Sequence, residues 1–207
     1  MGIRVFNLPN ITISYEDYQD AYKAALQVLN KYKSHYESPR NAIIGIVAEN
    51  IIRKHIFKLP YFELNNIGDG GIDINLNICA PKTLKNFPNA TLDIKCKQIQ
   101  FPELSDKFSW AIPSKKNYAT RTLLTFLNVS KQKTNLFILG SIQKNVLMKY
   151  KLVTIKNSKN TIRDIPIKDF NICKIQDVKK YIIGSVLNDI NKINLLEPII
   201  QEIDNKS

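Results

Sequence analysis

Hydrophobic residues recur at helical spacing in residues 15–36 and again in residues 39–57. The first segment follows Ser14, a residue type that caps helices, and the second begins with Pro39, which favours the first helical turn. Pro60 ends the second segment because proline cannot continue a helix. The pattern therefore predicts two consecutive helices.

Alternating hydrophobic and polar positions follow, and they predict strands. Residues 72–79 and 91–100 each place hydrophobic side chains on one face and Asp, Asn or Lys on the other. The segment between them, residues 80–90, contains two prolines and is expected to be the loop of a hairpin. A short strand at residues 61–67 and a glycine-rich turn at residues 68–71 are predicted before it.

The second half of the chain completes the predicted sheet. Residues 101–121 look like a polar connector, and the apolar runs 123–129 and 136–142 look like two further strands. The remaining predictions are edge strands within 144–159 and 161–175 and a helix over 177–193. The chain is therefore expected to form an α/β domain, in which helices flank a central mixed β-sheet. We expect one domain over residues 1–207, with a core at 39–142 and C-terminal strands and a helix at 143–207.

The charge of the chain points to a polyanionic partner. Thirty Lys and Arg against eighteen Asp and Glu give a net charge of +12 and a pI near 9.5. Lys, Asn and Ile are also enriched when a genome is rich in A+T, so charge alone leaves a nucleic-acid partner and codon bias both open.

The cysteines and hydropathy narrow the class of protein. Cys79, Cys96 and Cys173 are widely spaced and form neither a disulfide framework nor a zinc motif. No apolar run is long enough to span a membrane, and the start lacks the features of a signal peptide. We expect a cytoplasmic protein of a bacterium or phage, with no membrane association and no organic cofactor.

The candidate chemistry lies on the polar face of the predicted hairpin. If its loop is centred near residues 83–85, Asp73 and Asp93 become cross-strand neighbours. Two close carboxylates repel each other unless a cation or a proton intervenes, and oxygen ligands of this kind suit Mg²⁺ or Mn²⁺. The backbone carbonyl of Ile94 is a further candidate ligand, and Lys95 could stabilise developing negative charge or hold an attacking water.

Glu49 is a further candidate because it lies on a mostly apolar face of the second helix, where an unpaired carboxylate is costly. It could reach the same site, or it could form an ordinary salt bridge with Arg53, four residues on. For Asp73 and Asp93, the alternative is that they are solvated strand residues paired with Lys95 and Lys97.

This order of residues resembles the PD-(D/E)xK nuclease superfamily, which has the restriction-endonuclease-like fold. The matching residues are Asp73 in GDGGIDI, the run Asp93-Ile94-Lys95 in LDIKCKQ, and Glu49 on the preceding helix. The resemblance covers roughly residues 39–100 and the later strand LFILGSI. The chain departs from the family pattern before Asp73, where Gly71 and Ile72 stand in place of proline. D-x-K occurs three times in the chain, but only the run at 93–95 lies on a predicted strand.

The resemblance implies a metal-dependent endonuclease that hydrolyses DNA phosphodiesters, most similar to a type II restriction enzyme. It implies that Asp73 and Asp93 bind Mg²⁺, with Mn²⁺ as a substitute, that Lys95 is the catalytic lysine, and that Glu49 supports the metal or its water. Cutting both strands of double-stranded DNA needs two such sites, so a homodimer is the expected assembly.

Basic and aromatic residues outside the motif are candidate DNA contacts. They are Lys97, Lys115, Lys116, Tyr118 and Arg121. Three alternatives to a restriction-like enzyme stay open. The chain could be a non-catalytic DNA-binding module on the same fold, a repair, mobile-element or structure-specific nuclease, or an RNA-processing enzyme.

Overall fold

A mixed β-sheet with helices on one face forms the centre of the structure, a computed structural model. The structure describes residues 2–31, 39–61, 73–84, 87, 90–99, 102–105, 107–114, 119–154 and 161–189. The strands are β1 (Ile3–Arg4), β2 (Asn10–Ser14), β3 (Ile74–Asn75), β4 (Thr91–Gln98), β5 (Glu103–Leu104), β6 (Ser109–Pro113), β7 (Arg121–Val129), β8 (Lys133–Gln143), β9 (Val153–Thr154), β10 (Thr161–Pro166) and β11 (Asn171–Ile172). The helices are α1 (Tyr15–Lys31), α2 (Pro39–Ile51), α3 (Leu76–Cys79), α4 (Lys144–Leu147) and α5 (178–189).

The central sheet has six strands in the order β11-β8-β7-β4-β3, and β2 also pairs with β8. β4 and β7 run parallel, whereas the other neighbours are antiparallel, so the sheet is mixed as expected. A second, three-stranded sheet has the order β6-β10-β9, and β1 pairs with β5. The predicted α/β architecture with a mixed sheet and flanking helices is confirmed.

The two faces of the central sheet bury different clusters. Alternate residues of β4 and β7, such as Leu92, Ile94 and Leu123, pack into a core shared with α1, α2 and α5. The opposite face, which carries Leu124 and Phe126, packs against residues of the second sheet and the N-terminal segment. Because successive strand residues point to opposite faces, each β4 side chain is assigned to one of these two environments.

Both N-terminal helices begin where the sequence predicts. The Ser14 hydroxyl accepts a hydrogen bond from the Asp17 amide at 3.1 Å, which caps α1. α2 begins at Pro39 and continues into a π-helical turn (Ile52–Phe57). The predicted helix over 39–57 is therefore confirmed, although its last six residues are wound more widely than an α-helix.

The strand predicted over residues 72–79 is wrong beyond its first residues. Within residues 73–79, the part that the structure describes, only Ile74–Asn75 is a strand, and α3 follows it directly. The Asn75 side chain accepts a hydrogen bond from the Asn77 amide at 3.0 Å and so caps α3. This turn leaves Ile78 68% exposed. The alternating pattern over residues 72–79 therefore does not correspond to one long strand.

Two other segments differ from the predictions. The stretch at 101–121, expected to be a connector, contains β5 and β6, and β6 buries Trp110 and Ile112. The start of the chain contributes β2 to the central sheet, which the sequence analysis did not assign. The predicted strand and turn over 61–71 fall almost entirely outside the described residues.

No helix in the described part of the chain combines the length and the hydropathy that crossing a lipid bilayer requires.

Gly140 and Gly184 provide a paired test of the packing. A Cβ added to Gly140 on β8 would overlap the backbone carbonyl of Asn171 on β11, whereas one added to Gly184 on α5 meets no atom within 4 Å. We expect Gly140→Ala to lower the free energy of unfolding by about 1–3 kcal/mol. Gly184→Ala should raise it by about 0.5–1 kcal/mol, because alanine favours a helix interior. Urea unfolding followed by circular dichroism measures both, and an unchanged Gly140→Ala protein would contradict the close β8–β11 approach.

Candidate active site

Asp73 immediately precedes the short strand β3, which pairs with β4. Ile74 pairs with Leu92, so the hairpin is centred on residue 83, within the predicted range. The Asp73 amide donates to the Leu92 carbonyl at 2.9 Å, and the Ile94 amide donates to Asp73 Oδ2 at 2.5 Å. The Asp73 carboxylate thus contacts β4 at the residue between Asp93 and Lys95.

The backbone of Ile94 faces the same edge of β4 as Asp73. The amide and carbonyl of one strand residue point in the same direction, so the Ile94 carbonyl points away from β7. The neighbouring carbonyl of Lys95 points toward β7, where it accepts a hydrogen bond from the Thr125 hydroxyl at 3.2 Å. A carboxylate oxygen and a carbonyl oxygen therefore lie along one edge of β4.

Asp93 and Lys95 form a close ion pair on β4. Lys95 Nζ is 2.5 Å from Asp93 Oδ1, and Asp93 is 1% exposed. Leu92 and Ile94 project into the helical core, so Asp93 and Lys95 project from the opposite face of the sheet. Alternation predicts Asp93 on a polar face, but the structure buries it. A buried carboxylate needs such a partner because its desolvation is costly.

Glu49 is linked to Asp73 through Arg53. Glu49 is 6% exposed, and its Oε1 is 3.5 Å from Arg53 Nη1. The same Nη1 donates to the Asp73 carbonyl at 3.0 Å, and Nε donates to the Pro60 carbonyl at 3.0 Å. The ordinary salt bridge considered for Glu49 is thus present, and it also ties α2 to the start of the hairpin. The sequence indicates Arg53 only as a salt-bridge partner four residues from Glu49; its second role depends on a backbone acceptor that is distant in sequence.

Oxygen donors dominate this region. Among the residues that the structure describes, no three His, Cys, Asp or Glu side chains come together as a group that could hold a metal ion. The donors along β4 are the Asp73 carboxylate, the Ile94 carbonyl and the Asp93 carboxylate. These are hard oxygen ligands, and Mg²⁺ is commonly held by one or two carboxylates together with water and substrate phosphate. The donor set fits Mg²⁺ or Mn²⁺ in chemical type.

The cysteines are not arranged as nucleophiles. Burial raises the pKa of the Cys96 thiol to about 12 and that of Cys79 to about 11. Both thiols are therefore protonated at neutral pH, where only a thiolate is an effective nucleophile. Cys96 packs beside the helical core, as expected from its position on β4.

Lys97 lies against aromatic rings on the face of β4 that also carries Lys95. Its Nζ is 4.5 Å from the centre of the Trp110 ring and 5.4 Å from that of Phe108. Desolvation lowers the pKa of Lys97, and the Asp164 carboxylate acts in the opposite direction. Of the other predicted DNA contacts, Lys115, Lys116 and Tyr118 lie outside the described residues.

The prediction that Arg121 contacts phosphate from a loop is wrong. Arg121 begins β7 and is 5% exposed. Its guanidinium makes two hydrogen bonds of 2.7 Å to the Asp189 carboxylate on α5 and one of 2.6 Å to the Ser141 hydroxyl. A buried, bidentate pair of this kind joins α5 to the sheet and leaves the guanidinium engaged inside the protein.

Comparison of the chain with protein-family models, with curated proteins and with solved structures gives no match.

Proposed function

We propose that the protein is a metal-dependent DNA endonuclease with a restriction-endonuclease-like fold. The observation that carries the proposal is the contact between the Asp73 carboxylate and the Ile94 amide. The acid that precedes β3 therefore lies beside the D-x-K run of β4, a placement that depends on how the chain folds and not on its composition. The central mixed sheet with helices on one face agrees with that proposal.

Asp73, Asp93 and the Ile94 carbonyl would hold the metal ion. A bound Mg²⁺ would supply Lewis acidity toward the scissile phosphate and lower the pKa of water. Glu49 acts one step further away: it holds Arg53, and Arg53 holds the backbone at Asp73. Glu49 and Arg53 are positioning residues in this proposal.

Lys95 provides the positive charge for the reaction. Hydrolysis adds water to the phosphorus and breaks one P–O ester bond, so negative charge grows on the phosphoryl oxygens and on the leaving oxygen. The Lys95 side chain is 23% exposed, and an ammonium group that is partly shielded from water stabilises that charge more strongly than one in bulk water. The Asp93 carboxylate holds the Lys95 ammonium at the sheet face and so limits the reorganisation that catalysis would require.

A non-catalytic DNA-binding module is the alternative that one observation favours. The 2.5 Å contact between Lys95 and Asp93 is also what a purely structural ion pair would show. In that case the net charge of +12 would serve binding alone.

Cleavage of plasmid DNA separates the two functions. The purified protein is incubated with supercoiled and linear DNA, with Mg²⁺, with Mn²⁺ or with a chelator. We expect cutting that needs the metal and that is abolished in Asp93→Asn, while DNA binding in chelator is retained. Asp20→Asn, at an exposed carboxylate on α1, is the matched control and should cut normally. Binding without cutting by the parent protein on either DNA would favour the non-catalytic module.

A further inference from the structure

Two adjacent cavities form a groove beside β4. The larger, about 860 Å³, lies between the end of β4 and β6, and the smaller, about 400 Å³, lies between α1 and α2. Their walls share Arg40, Ile44 and Gln98, and an Arg40–Gln98 hydrogen bond of 3.5 Å lies where they meet. We refer to the two cavities together as the β4 groove.

The larger cavity carries positive charge next to the candidate active site. Lys95 and Lys97 lie in its wall together with Arg40. Glu103 is the one acidic side chain among the described residues that line the groove. Lys95 belongs to the Asp93 ion pair, so Arg40 and Lys97 are the cations outside that pair. The wall therefore suits an anionic chain that passes the D-x-K residues.

The smaller cavity has two aromatic rings in a wall that is otherwise mostly aliphatic. Tyr18 and Tyr22 form its wall, and Tyr15 extends the same row on α1. The ring centres are 6.2 Å apart from Tyr15 to Tyr18 and 6.0 Å apart from Tyr18 to Tyr22. Tyr15, beside the cavity, is 39% exposed, whereas Tyr18 and Tyr22 are partly buried and pack on one side against the helical core. Aromatic rings at an accessible surface offer stacking platforms for unpaired bases, which a base-paired duplex does not present.

We propose that the β4 groove binds a single-stranded segment of nucleic acid and leads it to the candidate active site. The backbone phosphates would contact Arg40 and Lys97, and bases would stack on the tyrosine row. This inference rests on the proposed nuclease function, because the groove is argued to lead the strand to the candidate active site. It specifies the substrate as a nucleic acid with an unpaired stretch. A groove that carries both cations and aromatic rings matches the two features of a single strand, its backbone phosphates and its unpaired bases.

Binding to short oligonucleotides tests the groove independently of cleavage. The Asp93→Asn protein is titrated in chelator against a fluorescent single-stranded 20-mer and against the duplex of the same sequence, with anisotropy as the readout. Tyr18→Leu in this background keeps an apolar side chain against the core, and we expect it to weaken single-strand binding at least about fivefold. Phe6→Leu, at an exposed aromatic residue that does not line the groove, should bind as the parent does.

Salt dependence tests the cationic contacts. Arg40→Gln should reduce the slope of log affinity against log salt by about 0.7 for the single strand, the contribution of one phosphate contact. Lys180→Gln, at an exposed lysine on α5, should leave the slope unchanged.

The outcomes distinguish this inference from the proposed function. The groove assignment is overturned if the protein binds the single strand no more tightly than the duplex and if Tyr18→Leu leaves single-strand binding unchanged. This holds even if the parent protein cuts DNA. The groove is supported and the nuclease proposal is overturned if single-strand binding depends on Tyr18 but the protein cuts no DNA, neither duplex DNA nor DNA with an unpaired stretch.

Discussion

Asp73→Asn is expected to lower metal-dependent DNA cleavage by about a thousandfold or more while the protein stays folded. The asparagine Oδ1 can still accept the hydrogen bond from the Ile94 amide, so the contact between the two strands is preserved. What the substitution removes is the negative charge, and a carboxylate that holds a metal ion accounts for several kcal/mol of transition-state stabilisation. Single-turnover cleavage with Mg²⁺ measures the loss.

Asp73→Ala is the companion variant, because it removes both the charge and the hydrogen-bond acceptor. We expect it to lose cleavage to the same extent and also to lower the free energy of unfolding by about 1–3 kcal/mol, since the Ile94 amide is left without this acceptor. Urea unfolding compares the two variants. If Asp73→Asn cuts at the parent rate, Asp73 serves only to join the start of β3 to β4 and the proposed metal site is wrong.

Asp189→Asn should be the most destabilising of the conservative substitutions, lowering the free energy of unfolding by about 3–5 kcal/mol. It neutralises one partner of a buried pair and leaves the Arg121 guanidinium charged where both side chains are less than a tenth exposed. Ser141 accepts one hydrogen bond from Arg121 but carries no compensating charge. Urea unfolding monitored by circular dichroism gives the change.

The double variant Arg121→Met with Asp189→Leu isolates the cause of that loss. Removing both charges should recover most of the stability, because the penalty comes from the unpaired charge and not from the absence of the pair. Asp20→Asn breaks an exposed pair with Lys23 and should change stability by less than about 0.5 kcal/mol. A single Asp189→Asn variant as stable as that control would mean that α5 does not bury this pair in solution.

Much of the fold was predictable because local chemistry and tertiary packing agree. Pro39 starts α2, and the apolar runs before and after residue 130 become β7 and β8. The hairpin strand at 72–79 was not predictable from alternation, because the Asn75 cap turns the chain into a helix after two residues. β6 was missed because its five residues lie among prolines and polar residues, and their burial depends on a distant partner, β10.

The sequence predicts which segments of the candidate site pair with each other, but not how deeply its side chains are buried. The pairing of Ile74 with Leu92 agrees with the predicted centre of the loop, and it brings Asp73 against β4 at Ile94. The burial of Asp93 depends on the layer that covers the second face of the sheet, which no local pattern encodes. Arg121 was misassigned for the same reason, since its partner Asp189 lies 68 residues away in sequence.

The pairing of β2 with β8 has a consequence for how the protein is made. Thr12 and Asn135, which are hydrogen-bonded across these strands, are separated by 123 residues. At ribosomal rates of about 5–20 residues per second, β2 is synthesised some 6–25 seconds before its partner β8. During that interval Ile11 and Ile13, both buried in the finished protein, lack the partner strand β8. The nascent chain therefore passes through a stage in which an apolar strand near its start is available to chaperones or to other chains.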